Sequence, residues 1–150
     1  MTMKREIEFR GRKADNKEWV YGYLVCIPDG DSFDCYIISD FDERDSIYDL
    51  WKYAIKVIPE TVGQYVGITD KNGKKIFEGD IVKDEYGRIM EVVWREKFAK
   101  FAFKLVKTIG EKWTENFLYA DMGDWFDLEN HLPEVIGNIF DKERDDGRED

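Results

Sequence analysis

From Arg5 to Phe9 charge alternates with apolar residues, through Glu6-Ile7-Glu8-Phe9, the period of a half-buried β-strand. Trp19 to Ile27 (WVYGYLVCI) is a nearly continuous apolar and aromatic run that stops at Pro28-Asp29-Gly30. It reads as a second strand, joined to the first through the polar loop around Asp15-Asn16-Lys17. Cys35 to Ser39 reads as a short third strand. In IYDLWKYAIKVI two templates compete: Ile47, Leu50, Trp51 and Ala54 fit a helix, whereas Trp51, Tyr53, Ile55 and Val57 fit a strand. The reading adopted is a short helix turning into a strand.

Pro59 to Val82, PETVGQYVGITDKNGKKIFEGDIV, combines strand patterning with turn chemistry. Asn72-Gly73 between apolar flanks predicts a hairpin with a type I′ turn, which needs positive φ at both central residues. Glu78-Gly79-Asp80 predicts a second tight reversal before Ile81-Val82. Arg88 to Trp94 follows as a strand entered through Asp84-Glu85-Tyr86-Gly87. Residues 97 to 107, KFAKFAFKLVK, carry Lys97, Lys100, Lys104 and Lys107 at helical spacing, yet Phe101, Phe103 and Leu105 alternate as a strand places them. Strand is the better reading, because a helix would leave Phe103 among the lysines. Glu111 to Glu129 mixes aromatics with acids and fits no template cleanly, and Val135 to Phe140 reads as a final strand. The expected fold is mainly β, a β-rich α+β arrangement with few short helices. It takes the form of a strongly bent antiparallel sheet or a small SH3-like barrel, as the strand–Gly turn–strand pattern of GDIVKDEYGRIMEVVW and FAFKLV indicates.

At 150 residues the chain has the size of one domain, expected over residues 1–140, and can hide roughly 70% of its unfolded surface. Aromatics make up 15% of it, against the composition of a disordered chain. The formal charge of −10 is local: residues 1–107 carry 19 Lys or Arg against 20 Asp or Glu, and residues 108–150 carry 4 against 13. The last ten residues, DKERDDGRED, hold no apolar anchor, so 141–150 is expected to be a disordered acidic tail. No run approaches the ~18 apolar residues of a membrane span, and the N-terminus has no apolar signal core. A cytoplasmic protein without membrane contact is expected. In a reducing compartment Cys26 and Cys35, nine positions apart with no zinc spacing, are expected to be free thiols.

The segments Arg5 to Gly11, Glu18-Trp19-Val20-Tyr21-Gly22, Pro59 to Val82, Val93-Trp94 and Val135 to Phe140 together resemble the YopX family of phage and prophage proteins. The resemblance runs over nearly the whole chain and implies a β-rich protein acting inside the bacterial cell, with no known reaction. Thr61, Gln64, Tyr65, Asn72, Gly73, Glu78, Gly79, Asp80 and Trp94 are the signature positions expected to serve structure or interaction.

Catalytic chemistry finds little support. His131 is the one histidine, so mechanisms that need a His pair or a Ser-His-Asp set are excluded, and it reads as a surface residue. Asp40, Asp42, Glu43 and Asp45 begin like a calcium loop, but Arg44, Asp45 and Trp51 stand where a ligand, a glycine and the closing Glu belong. Asp70 to Gly73 fails in the same way, with Lys74 and Ile81 at the ligand positions. Gly63, Gly67 and Gly73 make no phosphate-binding spacing. Glu78 and Asp80 are read as caps of turn N–H groups. No catalytic, metal or cofactor site is expected. Lys97, Lys100, Lys104 and Lys107 among phenylalanines suit single-stranded nucleic acid, although core phenylalanines with lysines guarding a solvent face or sheet edge are the plainer reading. The expected function is a non-enzymatic, homo-oligomeric interaction module that meets host or phage proteins, because its aromatics exceed the needs of one small core. The alternatives are a nucleic-acid-associated accessory protein and an acidic decoy that mimics DNA through residues 108–150.

Overall fold

The run Trp19–Asp29 forms the longest strand of the first of two compact units, Met1–Tyr65 and Val66–Asp150, in a computed structural model that describes residues 5–42, 44–107, 119–122 and 131–141. The first unit holds β1 (Phe9–Arg12), β2 (Trp19–Asp29), β3 (Ser32–Ile38) and β4 (Ala54–Val57), hydrogen-bonded in the order β4-β3-β2-β1. The start of β5 (Gly63–Thr69) pairs with β1 through Phe9↔Gln64 and Arg10↔Gly63. One face of this sheet buries Val20, Cys35, Ile37 and Val57 with Phe9, Leu24, Ile55 and Val62 against them. The β2–β3 loop is two residues long, and Gly30 at its first position has φ 62°, as a type II′ turn requires. The competing templates of residues 47–57 resolve as read: a 3₁₀ turn over Ile47–Tyr53 leads into β4, and the Ser46 hydroxyl accepts from Tyr48 N–H at its start.

The first strand lies later than the alternation of Arg5 to Phe9 predicts. The paired residues are Phe9 to Arg12, and both Arg10 and Arg12 are buried. Polar-outward patterning misleads here because Trp19 receives both guanidiniums over its ring, at 4.4 and 5.0 Å.

The second unit holds β6 (Lys75–Phe77), which pairs with the continuation of β5, and a five-stranded antiparallel sheet in the order β10-β9-β8-β7-β11. Its strands are β7 (Asp80–Lys83), β8 (Ile89–Arg95), β9 (Lys100–Lys107), β10 (Tyr119–Asp121) and β11 (Glu134–Asn138). Ile76, Val82, Met90, Val92, Phe103 and Leu105 form its core, with Val66, Ile68, Met122 and Val135 packed on it. Of the expected strand over residues 97–107, Lys100–Lys107 is extended and Phe103 is fully buried, whereas Lys97 and Phe98 belong to a 3₁₀ turn over Glu96–Phe98 that Ala99 closes in the left-handed conformation. Neither sheet closes on itself, so the open, bent-sheet form of the expected fold holds and the SH3-like barrel does not. Among the described residues no helix is long and apolar enough to cross a membrane. Residues 108–118, 123–130 and the tail from 142 lie outside the described residues.

The hairpin at Asn72-Gly73 is present, but its turn is not type I′. Gly73 has φ 80°, whereas Asn72 is not among the positive-φ residues. Asp70 C=O accepts Gly73 N–H at 3.0 Å and Asp70 N–H donates to Lys74 C=O at 2.7 Å, the pattern of a type I turn closed by a left-handed glycine. The Asp70 carboxylate selects this turn: its Oδ1 accepts from Asn72 N–H at 2.9 Å and from Lys74 N–H at 2.8 Å. The same device recurs fourteen residues later. Asp84 Oδ1 accepts from Tyr86 N–H at 2.9 Å and Arg88 N–H at 2.8 Å, Gly87 has φ 82°, and Gly87 N–H donates to Asp84 C=O. Asp70-Lys-Asn-Gly-Lys74 and Asp84-Glu-Tyr-Gly-Arg88 are one turn built twice, a signal that was present in the sequence as Asp-x-x-Gly followed by a cation.

Cys26 and Cys35 are not free thiols. They form a disulfide with Cα atoms 4.2 Å apart. The reason is register: the two-residue turn makes Cys26 and Cys35 direct cross-strand partners in the β2–β3 hairpin. Protein purified without reductant should therefore show no thiol to a colorimetric titration before reduction and two after it. Reduction should lower stability by about 2 to 3 kcal/mol, the chain-entropy value for so short a loop. Two reactive thiols in the unreduced, unfolded protein would remove the bridge.

Candidate interaction surfaces

A half-buried antiparallel strand is expected to turn polar side chains outward, and β2 does not. Tyr21, Tyr23, Val25 and Ile27 occupy the face opposite the core cluster, where Tyr23 is 60% and Ile27 43% exposed. Cross-strand pairing sets Tyr36 beside Val25, and Trp51 stacks on Tyr36 with ring centroids 4.9 Å apart. The 3₁₀ turn that carries Trp51 also lifts Ile47 and Tyr48 into solvent, Tyr48 to 94% exposure. On this face Lys56 and Asp34 form an ion pair at 3.7 Å. The first unit thus presents an aromatic and aliphatic outer face that its own core does not use.

In the second unit a basic and aromatic cluster gathers where β8 passes through the Glu96–Phe98 turn into β9. Arg95 lies between two rings, its Cζ 4.5 Å from the centroid of Phe98 and 3.9 Å from that of Tyr119 on β10. Lys97 and Lys100 approach Phe98 at 5.7 and 5.6 Å. On the opposite face of the hairpin Trp94 and Phe101 meet edge to face at 5.0 Å, and Trp94 is 46% exposed. The left-handed conformation of Ala99 makes the tight reversal that brings Lys97 and Lys100 to the same ring.

Most of the signature positions serve architecture. Thr61 is buried; its hydroxyl accepts from Arg12 N–H at 2.9 Å and donates to Ile58 C=O at 2.6 Å. Tyr65 N–H donates to Glu8 C=O at 2.8 Å and its side chain is buried, beside the Gln64 pairing to β1. Asn72 and Gly73 form the exposed turn described above. Glu78 and Gly79 make the reversal between β6 and β7, where Gly79 N–H donates to Val92 C=O and its carbonyl accepts from Ile139 N–H. The buried Asp80 caps that reversal by accepting from Phe77 N–H at 2.8 Å, the role read for it from sequence. Trp94 is exposed as well, and it meets Phe101 on the face of the β8–β9 hairpin opposite Arg95 and Lys100. Of the lysines read as possible nucleic-acid contacts, Lys97 and Lys100 join the basic cluster, while Lys104 stands further along β9 opposite Glu91 and Tyr119, and Lys107 ends the strand. Arg95 and Tyr119 were missed because their meeting depends on the pairing of three strands.

The acidic loop before the 3₁₀ turn uses its carboxylates on itself. Asp42 accepts from Arg44 N–H and pairs with the guanidinium at 3.0 Å, which holds its carboxyl below the usual range. Asp45 accepts from Asp42 N–H and from the Tyr53 hydroxyl at 3.0 Å, and this raises the phenol. Among the described residues no group of three or more His, Cys, Asp or Glu could hold a metal ion. His131 pairs with Glu85 at 3.1 Å on the surface.

A family model described as YopX protein matches residues 8–144. Among solved structures the chain is similar to protein EF1440 from Enterococcus faecalis, at 24% identity and a TM-score of 0.49, covering 91% of this chain and 94% of that one. No curated protein matches the sequence.

Proposed function

The chain belongs to the YopX family, and from that premise we propose that it is a non-enzymatic, self-associating interaction module of phage or prophage origin that works in the host cytoplasm. The observation that carries the reading is the outer face of β2, where Tyr21, Tyr23, Val25 and Ile27 form a solvent-facing stripe beside the Tyr36–Trp51 stack. Contiguous exposed apolar surface of this kind marks association sites, and tyrosine and tryptophan are the side chains interfaces favour. A second copy of the same face is the occupant. An isologous contact sets a patch against itself, which a patch of one charge sign resists and the uncharged side chains of Tyr21, Tyr23, Val25 and Ile27 accept.

The test is mass in solution. The full chain should scatter light as a dimer or larger assembly at micromolar concentration. Tyr23→Lys with Ile27→Lys, both on exposed positions, should raise the dissociation constant by about tenfold or more, because central apolar contacts dominate such interfaces. A monomeric mass for the unaltered chain would end the proposal, as would an assembly indifferent to the lysines.

A further inference from the structure

Arg95 is half-buried with its guanidinium against the rings of Phe98 and Tyr119, and that guanidinium makes no hydrogen bond or ion pair with any described residue. A guanidinium in this position keeps its faces on the rings and its N–H edges unspent. Burying part of a charge without an opposite charge is costly, and the two rings offset only some of that cost. A planar fork held in one orientation is suited to an oxyanion, and it loses little freedom on binding one.

The surroundings select the anion. Lys97 and Lys100 are drawn to the same Phe98 ring, so three cations converge within one short reversal of the chain. The Phe98 ring that gathers them is itself 51% exposed. A lone carboxylate would satisfy Arg95 but make no use of Lys97 or the Phe98 ring. A chain of phosphates with unstacked bases uses all of them: cations follow the backbone and aromatic faces take the bases. A duplex hides its base faces, so the rings favour a single strand. Among the described residues the acids on these strands and their turn are Glu96 and Glu91, which stands across from Lys104 in the register of β8 and β9.

We infer that the β8–β9 reversal, through Arg95, Lys97, Lys100 and the exposed Phe98 ring, binds the backbone and bases of single-stranded nucleic acid. This site lies in the second unit and does not depend on self-association through the first. The test is fluorescence anisotropy of a labelled oligothymidylate with the full chain, across a salt series. Binding should be micromolar at low salt and weaker for duplex of the same length. Arg95→Gln should weaken it by about tenfold or more, since charge-assisted contacts of this kind dominate phosphate recognition. Lys97→Gln, an exposed position whose loss spares the fold, should flatten the slope of log affinity against log salt by about 0.7, the value of one phosphate contact on a single strand. Absence of binding by the unaltered chain overturns the inference, and so does binding that neither substitution changes. Tighter binding to duplex than to single strand, or displacement by inorganic phosphate at its own low concentration, overturns the assignment to a single strand. An Arg95→Gln chain that fails to fold leaves the decision to the salt slope of Lys97→Gln.

Discussion

Gly22→Ala should cost the first unit about 3 to 5 kcal/mol, at the upper end of what single substitutions do. A Cβ at this position would stand 2.0 Å from the Ile38 carbonyl oxygen and 2.9 Å from its carbon, and both belong to backbone that cannot rotate aside. Escape by a shift of the strand is blocked on both sides. Gly22 is paired to Phe9 of β1, and the next residue, Tyr23, opposes Ile38 itself. Relief would have to come from separating β2 and β3 at this end, and with them the contacts of Leu24 and Ile37 in the core. Gly73→Ala is the control. Nothing lies within 4 Å of its added Cβ, so only the left-handed backbone at φ 80° resists it, at about 1 to 2 kcal/mol. Urea denaturation of the two variants should separate them clearly. Equal, small losses would show that the approach of Gly22 to Ile38 is not as close as described.

Asp70→Ala should lose about 3 to 5 kcal/mol through a different mechanism, the orphaning of donors. Oδ1 of this buried carboxylate serves two N–H groups of its own turn, and Oδ2 accepts from Val135 N–H at 3.0 Å, sixty-five residues away. One side chain therefore closes the β5–β6 hairpin and ties β11 to it, an attachment that Lys71 N–H reinforces by donating to Pro133 C=O. Asp84 provides the comparison. It makes the same two turn bonds, but its second oxygen takes the nearby Arg88 guanidinium instead of a distant strand. Asp84→Ala should loosen one turn, whereas Asp70→Ala should also release β11, which amide hydrogen exchange at Val135 to Asn138 would register. Unchanged protection of β11 in Asp70→Ala would show that its pairing to β7 suffices to hold it.

Along the chain, a strand announces itself by its own period of two, and turns by residues that tolerate their angles. That is why β2, β3, β8, β9 and β11 stand close to where the pattern of apolar positions puts them, and why the reversals at Gly30, Gly73, Gly79 and Gly87 were legible as turns. Phe103 was correctly assigned to the core because the strand reading of residues 97–107 follows from the same local period. The type I′ assignment failed at the next level of detail. Asn72-Gly73 permits two turn geometries, and the choice was made by a carboxylate two residues earlier.

Interaction partners across strands are a different kind of information. They depend on register, and one residue of slip exchanges the two faces of a strand. The sequence by itself determined a β-rich chain, its reversals and much of its apolar interior, since each of these is dictated by residues adjacent along the backbone. Only the tertiary structure decided that Cys26 meets Cys35, that Trp19 shelters Arg10 and Arg12, that the tyrosines of β2 face solvent opposite a core already filled, and that Arg95 lies between Phe98 and Tyr119. Each of those contacts joins groups from separate strands or turns, and it exists only once the hydrogen-bonded ladders have set which residues stand opposite one another.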